Sequence, residues 1–115
     1  MRRALLAAAL VLPGAAPAQD AAQLLNDYPT AARAEYVFAC MAANGQTRPV
    51  LDRCSCSIDR IASIIPYDAY VEAEAILALQ QTSGERATLC RDNALVRSAV
   101  ADLRRAQAEA EIVCF

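Results

Sequence analysis

The chain of 115 residues contains no histidine, no lysine and no tryptophan. Without histidine, the Ser-His and Cys-His pairs of nucleophilic catalysis are excluded. No segment alternates apolar and polar residues as a strand does, and no Cys-x-x-Cys motif stands on a thioredoxin-like β-α pattern. The longest apolar run at the N-terminus has nine residues, whereas a membrane span needs about 20. These absences favour an all-α protein that is not an enzyme.

Residues 1–18 have the three parts of a secretory signal peptide. Two arginines are followed by the nine apolar residues and then by a Pro-Gly pair that breaks a helix. Ala16 and Ala18 supply the small side chains that signal peptidase requires, which predicts cleavage between Ala18 and Gln19. We therefore expect a periplasmic or secreted mature chain with no membrane span.

The mature chain, 19–115, has the length of one domain and an acidic balance. It carries nine arginines against thirteen Asp and Glu residues, a net charge of −4. Nucleic-acid binders carry basic patches, so this balance argues against a nucleic-acid partner. We expect a lead-in segment at 19–29 and a helical domain at 30–115.

Four segments have the period of an amphipathic helix, and a short further element is expected between Thr82 and Cys90. Short connections predict a bundle of four to five helices in which neighbours along the chain pack antiparallel. Thr30, Thr47 and Asp92 are the candidate N-caps. The predicted helices are Thr30–Asn44, Pro49–Ile65, Tyr67–Gln81 and Asn93–Val113. Their predicted core positions include Ala34, Val37, Leu51, Ile58, Ile61, Val71, Ile76, Leu79, Leu103, Ala106, Ala110 and Val113.

Five cysteines remain after export, in a compartment where disulfides form. Cys40 and Cys54 lie equally far from residue 47 at the first turn, so they face each other in an antiparallel hairpin. Cys56 lies about 200° around the helix from Cys54, so it needs another partner. We expect Cys40–Cys54 and Cys56–Cys114 bridges with Cys90 as a free thiol. Exchanged partners for Cys54 and Cys56, or a Cys56–Cys90 bridge, stay open.

The Cys54-Ser55-Cys56 motif has a second interpretation. Two close thiols exchange disulfides with a client or bind Cu(I), and Cys40 and Met41 would add soft ligands. Two scaffold bridges are favoured, with no metal and no cofactor, because a four-ligand site would remove the bridges that a small domain needs. A free Cys90 allows either a monomer or a disulfide-linked dimer.

Carboxylates and tyrosines are the remaining candidates. Asp68, Glu72 and Glu74 lie near one another on one predicted helix and suit a hard cation, but a solvated helix face is favoured. Four tyrosines suit either a protein-binding patch or core packing with a solvated hydroxyl, of which core packing is favoured. These are Tyr28, Tyr36, Tyr67 and Tyr70.

Four motifs carry a resemblance to a known family. They are Val37-Phe38-Ala39-Cys40-Met41, Cys54-Ser55-Cys56-Ser57-Ile58-Asp59, Tyr67-Asp68-Ala69-Tyr70-Val71-Glu72 and Gly84-Glu85-Arg86. From Glu35 to Asp92 the chain resembles a family of small secreted proteobacterial proteins with a CxC motif and no established activity. The resemblance implies an accessory protein of a periplasmic quinoprotein dehydrogenase system.

These observations predict a non-enzymatic periplasmic accessory or binding protein that presents a helical surface to an unknown protein partner. The alternatives are a thiol-redox or Cu(I)-handling protein that uses the CxC motif, and a secreted inhibitor or immunity-type protein.

Overall fold

The computed structural model describes residues 27–82, 84, 85, 88, 91 and 93–115. Four helices have described bounds, α1 Thr30–Asn44, α2 Arg48–Ile64, α3 Tyr67–Gln80 and α4 Ala94–Cys114. Glu85, Thr88 and Arg91 are also helical, in the region of the expected short element, and no described residue lies in a strand. The all-α, disulfide-linked bundle expected from the sequence is confirmed. The expected signal peptide, most of the lead-in, and Cys90 lie outside the described residues. No helix in the described part is both long and apolar enough to cross a membrane.

The α1–α2 turn is set by a glycine and a threonine. Gly45 has a φ of 114° and donates its backbone N–H to the Met41 carbonyl at 2.8 Å, which ends α1 in a conformation that glycine adopts readily. Thr47 caps α2, because its hydroxyl accepts a hydrogen bond from the Val50 N–H at 3.4 Å. Thr30 was the wrong cap for α1, since the helix begins directly after Pro29 with no side-chain cap.

α3 and α4 begin at a proline and an asparagine. Pro66 precedes α3, where its missing N–H leaves no helical hydrogen bond unmade. Asn93 caps α4 by accepting a hydrogen bond from the Leu95 N–H at 2.9 Å. Asn93 was expected to be the first helical residue, so the helix begins one residue later; the expected cap, Asp92, lies outside the described residues.

The helices pack in an order that differs from their order along the chain. α1 packs on α2, α2 on α4, and α3 on α4. The expectation that short connections make neighbours along the chain pack against each other holds for α1 and α2 but was wrong for α2 and α3, since both use α4 as their main neighbour. Three sides of the bundle are therefore closed by extensive packing. The fourth side, between α1 and α3, is an open groove.

The core lies where α2, α3 and α4 meet. α4 contributes Leu103 with Ala106 and Ala110, whose small side chains allow the neighbouring helices to approach closely. Tyr28, expected in the lead-in, is also buried; its hydroxyl donates to the Ile65 carbonyl at 3.1 Å. α1 contributes no buried residue. The helix that forms one wall of the groove is thus held least by the core.

Some predicted core positions are exposed. Val71 and Leu79 of α3 lie at the surface, and Ala73 and Ile76 take the buried positions. Ala34 is likewise exposed. At the end of α4, Val113 is 59% exposed, because the face of the helix that contacts α2 passes from Ala110 to Cys114.

Candidate functional site

The two disulfides join the helices that form the closed part of the bundle. Cys40–Cys54 links α1 to α2, and Cys56–Cys114 links α2 to the end of α4, each with 5.8 Å between Cα atoms. These are the two pairs expected from the sequence, and the alternatives left open for Cys54 and Cys56 do not occur. Cys54 is fully buried. The two sulfurs of the CxC motif are therefore bonded to different helices, and the motif joins both α1 and α4 to α2.

The two disulfides occupy three of the four residues of the alternative Cu(I) site, which are Cys40, Met41, Cys54 and Cys56. In the oxidised protein, Cys54 and Cys56 offer no thiolate, because each sulfur is bonded to a different partner. Cys40 is held in the first bridge, which leaves Met41 as the remaining soft side chain of the proposed Cu(I) set. No group of three or more metal-binding side chains of His, Cys, Asp or Glu occurs within the described ranges.

A cleft of about 530 Å³ lies between α1 and α3. Its α1 wall carries Glu35, Tyr36 and Cys40, and its α3 wall carries Tyr70 and Glu74. Both walls present residues at helical spacing, so the cleft follows the two helices as a groove rather than closing over as a pocket. The further lining residues are Ala32, Ala39, Asn44, Tyr67 and Val71.

A second cleft of about 190 Å³ extends the groove toward α4. It shares Tyr36, Cys40 and Asn44 with the first cleft and adds Glu111 and Phe115 of the C-terminal end. The remaining lining residues are Ser57 and Gln107. The bridges position this region directly, because Cys40 lies in its wall and Cys114 precedes Phe115.

The charge of the groove is negative. Glu35, Glu74 and Glu111 are the charged residues that line the two clefts. Burial raises the pKa of Glu74 above its ordinary value of 4.5; the charge of Arg104 lowers this pKa, and Glu35 raises it further. Glu35 and Glu74 therefore interact unfavourably when both are ionised.

Tyrosine rings form much of the groove walls. Burial, followed by the nearby Glu74 charge, raises the pKa of Tyr70 to about 12. Burial also raises the pKa of Tyr36, although a hydrogen bond with Ser57 opposes the shift. Both hydroxyls stay protonated at neutral pH, so they act as hydrogen-bonding groups rather than as nucleophiles.

The rings of Tyr28, Tyr67 and Tyr70 also contact one another. The Tyr28 and Tyr70 centroids lie 5.1 Å apart, and those of Tyr28 and Tyr67 lie 5.2 Å apart. Tyr28 packs into the core behind the groove, whereas Tyr67 and Tyr70 are partly exposed in it. The tyrosines thus combine the two predicted uses, core packing and a surface patch.

The acidic residues of α3 do not act together as a cation site. Glu74 lines the groove, whereas Glu72 lines a separate cleft beside α4. Asp68 accepts a hydrogen bond from the Ala69 N–H at 2.8 Å at the start of the helix. Sequence analysis did not single out Glu35 or Glu111, because nothing local distinguishes a carboxylate in a groove from one in water.

Comparison with protein-family models, with curated proteins and with solved structures gives no match.

Proposed function

We propose that the mature chain is a non-enzymatic binding protein of the periplasm that receives a segment of a partner protein in the groove between α1 and α3. The observation that carries the proposal is the open side of the bundle: α1 and α3 are each packed against another helix, yet the space between them is a cleft of about 530 Å³. The signal-like residues 1–18 and the two disulfides support a location outside the cytoplasm.

The groove has the composition of an interaction surface. Partly exposed tyrosines combine apolar area with a hydroxyl, and such side chains are enriched at protein interfaces. The α1 wall is also fixed in advance, because the Cys40–Cys54 bridge anchors it to α2, and the Cys56–Cys114 bridge anchors the end of α4 beside the second cleft. A preorganised surface loses less conformational entropy on binding. Its tyrosines have raised pKa values, which makes the groove poorly suited to nucleophilic catalysis.

Photo-crosslinking in the periplasm tests this proposal. A photoreactive amino acid replaces Ala39 in the groove wall, and a matched variant carries it at Ala101, an exposed residue of α4 outside the groove. We expect one discrete crosslinked protein from position 39 and none from position 101. Periplasmic quinoprotein dehydrogenases, which the family resemblance suggests, are the first candidates to identify by mass spectrometry.

A blocking variant makes the test specific. Val71 is 44% exposed on the opposite wall, so Val71→Arg adds bulk to the groove without disturbing the core. The crosslink from position 39 should disappear in this variant while the thermal unfolding midpoint stays unchanged. A crosslinking pattern that is the same at both positions, or that survives Val71→Arg, would contradict the proposal.

A further inference from the structure

The carboxylates of the groove differ from most other charges of the described structure in having no direct partner. Glu35, Glu74 and Glu111 accept no side-chain hydrogen bond and form no ion pair with the described residues. Elsewhere, four acidic side chains are paired with arginines, and Asp27 and Asp68 accept backbone N–H groups. The pairs are Arg33–Asp59, Arg48–Asp52, Arg60–Glu109 and Arg105–Asp102. The groove therefore holds negative charge that the protein does not neutralise by direct contact.

The tyrosines of the groove add a second attraction for cations. The face of an aromatic ring attracts a guanidinium or ammonium group within about 6 Å of its centroid. This protein already uses such contacts: the Arg33 guanidinium lies 5.6 Å from the Tyr28 centroid, and that of Arg53 lies 5.9 Å from the Phe115 centroid. Tyr36 and Tyr70 stand beside Glu35 and Glu74 on the two walls.

We propose that the segment received by the groove is a basic one, with an arginine side chain placed between Glu35 and Glu74 and against the tyrosine rings. This inference rests on the proposed function and names the chemistry of the partner. A guanidinium both pairs with carboxylates through its planar fork and stacks on aromatic rings, whereas an ammonium offers a compact charge. An acidic segment would add repulsion to that already present between the two glutamates.

The shape of the site favours a protein segment over a small organic cation. Sites for small molecules bury about 70–90% of the ligand surface. Here the main cleft is open along its length and continues through Tyr36, Cys40 and Asn44 into the second cleft beside Glu111. Such a continuous groove fits several residues of an extended or helical chain. It also gives a second acidic position for a further basic residue of the same segment.

Nuclear magnetic resonance titration of the ¹⁵N-labelled mature protein, with both disulfides intact, tests the inference. The probe is a blocked twelve-residue alanine peptide with arginine at every fourth position. Its partner probe has glutamate at the same positions, and free arginine amide represents a small cation. We expect the arginine peptide to shift the amide signals of α1 and α3 around the groove, with much weaker effects from the other two.

Matched charge variants locate the contact. Glu35→Gln and Glu74→Gln should each weaken binding of the arginine peptide about threefold to fivefold, the range for a partly exposed ion pair. Glu72→Gln makes the same change on α3 outside the groove and should leave the affinity unchanged. An equal loss in Glu72→Gln, equal binding of the glutamate peptide, or equal affinity for arginine amide would overturn the inference.

The same variants separate this inference from the proposed function. If the crosslink from position 39 persists at full yield in Glu35→Gln combined with Glu74→Gln, the groove binds its partner by other chemistry and only the inference fails. If the arginine peptide binds as described but no partner crosslinks in the periplasm, the cation site stands and the proposed function fails.

Discussion

Removal of the Cys40–Cys54 bridge should release α1 from an otherwise intact bundle. α1 contributes no buried side chain to the core, and Cys40 is covalently joined to a fully buried residue of α2. The other connections of α1 to α2 include the Arg33–Asp59 ion pair at 2.5 Å. A surface pair of this kind contributes about 0.2–1 kcal/mol. The disulfide is therefore the strongest single restraint on this helix.

The stabilisation that each bridge provides follows from the length of the loop that it closes. The Cys40–Cys54 bridge has a sequence separation of 14, which corresponds to about 3 kcal/mol of lost unfolded-state entropy. Cys56–Cys114, with a separation of 58, corresponds to about 4 kcal/mol. Although the second bridge contributes more to global stability, the first one is the disulfide that links α1 to α2.

Hydrogen exchange measured by mass spectrometry distinguishes the local release of α1 from a loss of global stability. In Cys40→Ser combined with Cys54→Ala, the amides of α1 should exchange first, in a separate step that depends weakly on denaturant. The amides around Ile58, Ile61 and Leu103 should remain the slowest, and their protection should fall by roughly 150-fold at most, the equivalent of about 3 kcal/mol.

The second bridge gives the matched control. Cys56→Ser combined with Cys114→Ser removes the same number of cysteines but leaves α1 bonded to α2, so α1 should not exchange ahead of α2. A non-reduced peptide map first verifies which bridge is missing in each variant. If α1 and α2 exchange in one common step after loss of Cys40–Cys54, the reasoning that the bridge replaces core burial for α1 is refuted.

Three smaller changes test other parts of the structure. Thr47→Ala removes the cap that accepts from the Val50 N–H and should lower the free energy of unfolding by about 1 kcal/mol in chemical denaturation. Tyr28→Phe removes the hydrogen bond to the Ile65 carbonyl and should lower the free energy of unfolding by about 1 kcal/mol, because a partly buried carbonyl loses its partner; no loss would show that water replaces the hydroxyl. Burial raises the pKa of Glu74 in the folded protein, so the folded state binds the proton more tightly than the unfolded state and stability falls as pH rises through that pKa. Glu74→Gln should accordingly raise the unfolding midpoint at pH 7 and leave it unchanged at pH 3. A lower midpoint at pH 7 would contradict a raised pKa of Glu74.

Local signals were sufficient to predict most helix boundaries. Gly45, Thr47 and Pro66 mark three helix ends through backbone conformation, side-chain capping and the missing N–H. The Cys40–Cys54 bridge was also predictable, because residues at equal distances from a tight helical turn face each other, whereas the partner of Cys56 was one choice among several. Cys40 and Cys54 satisfy that relation. Cys56 lies about 200° around the helix from Cys54, so its side chain points away from α1.

The faces of α3 could not be predicted in the same way. Apolar residues are spread around the whole of this helix, so its period does not identify a buried side. The choice of Ala73 and Ile76 over Val71 and Leu79 depends on how α3 lies against α4. The groove depends on the same placement, since Glu74 becomes a groove residue only when α1 stands opposite it.

The disulfides and the open groove have one physical connection. In a small helical domain each helix normally buries an apolar face on two sides, and this requirement closes the bundle. α1 has no fully buried side chain, and the Cys40–Cys54 bridge holds it together with the partly buried Tyr36 and Val37. Its other face is then free to carry Glu35 toward α3, with Tyr36 between the core and the groove. The variant that lacks this bridge should therefore lose affinity for the arginine peptide even though Glu35, Glu74 and both groove tyrosines are unchanged, whereas loss of Cys56–Cys114 should affect mainly contacts near Glu111.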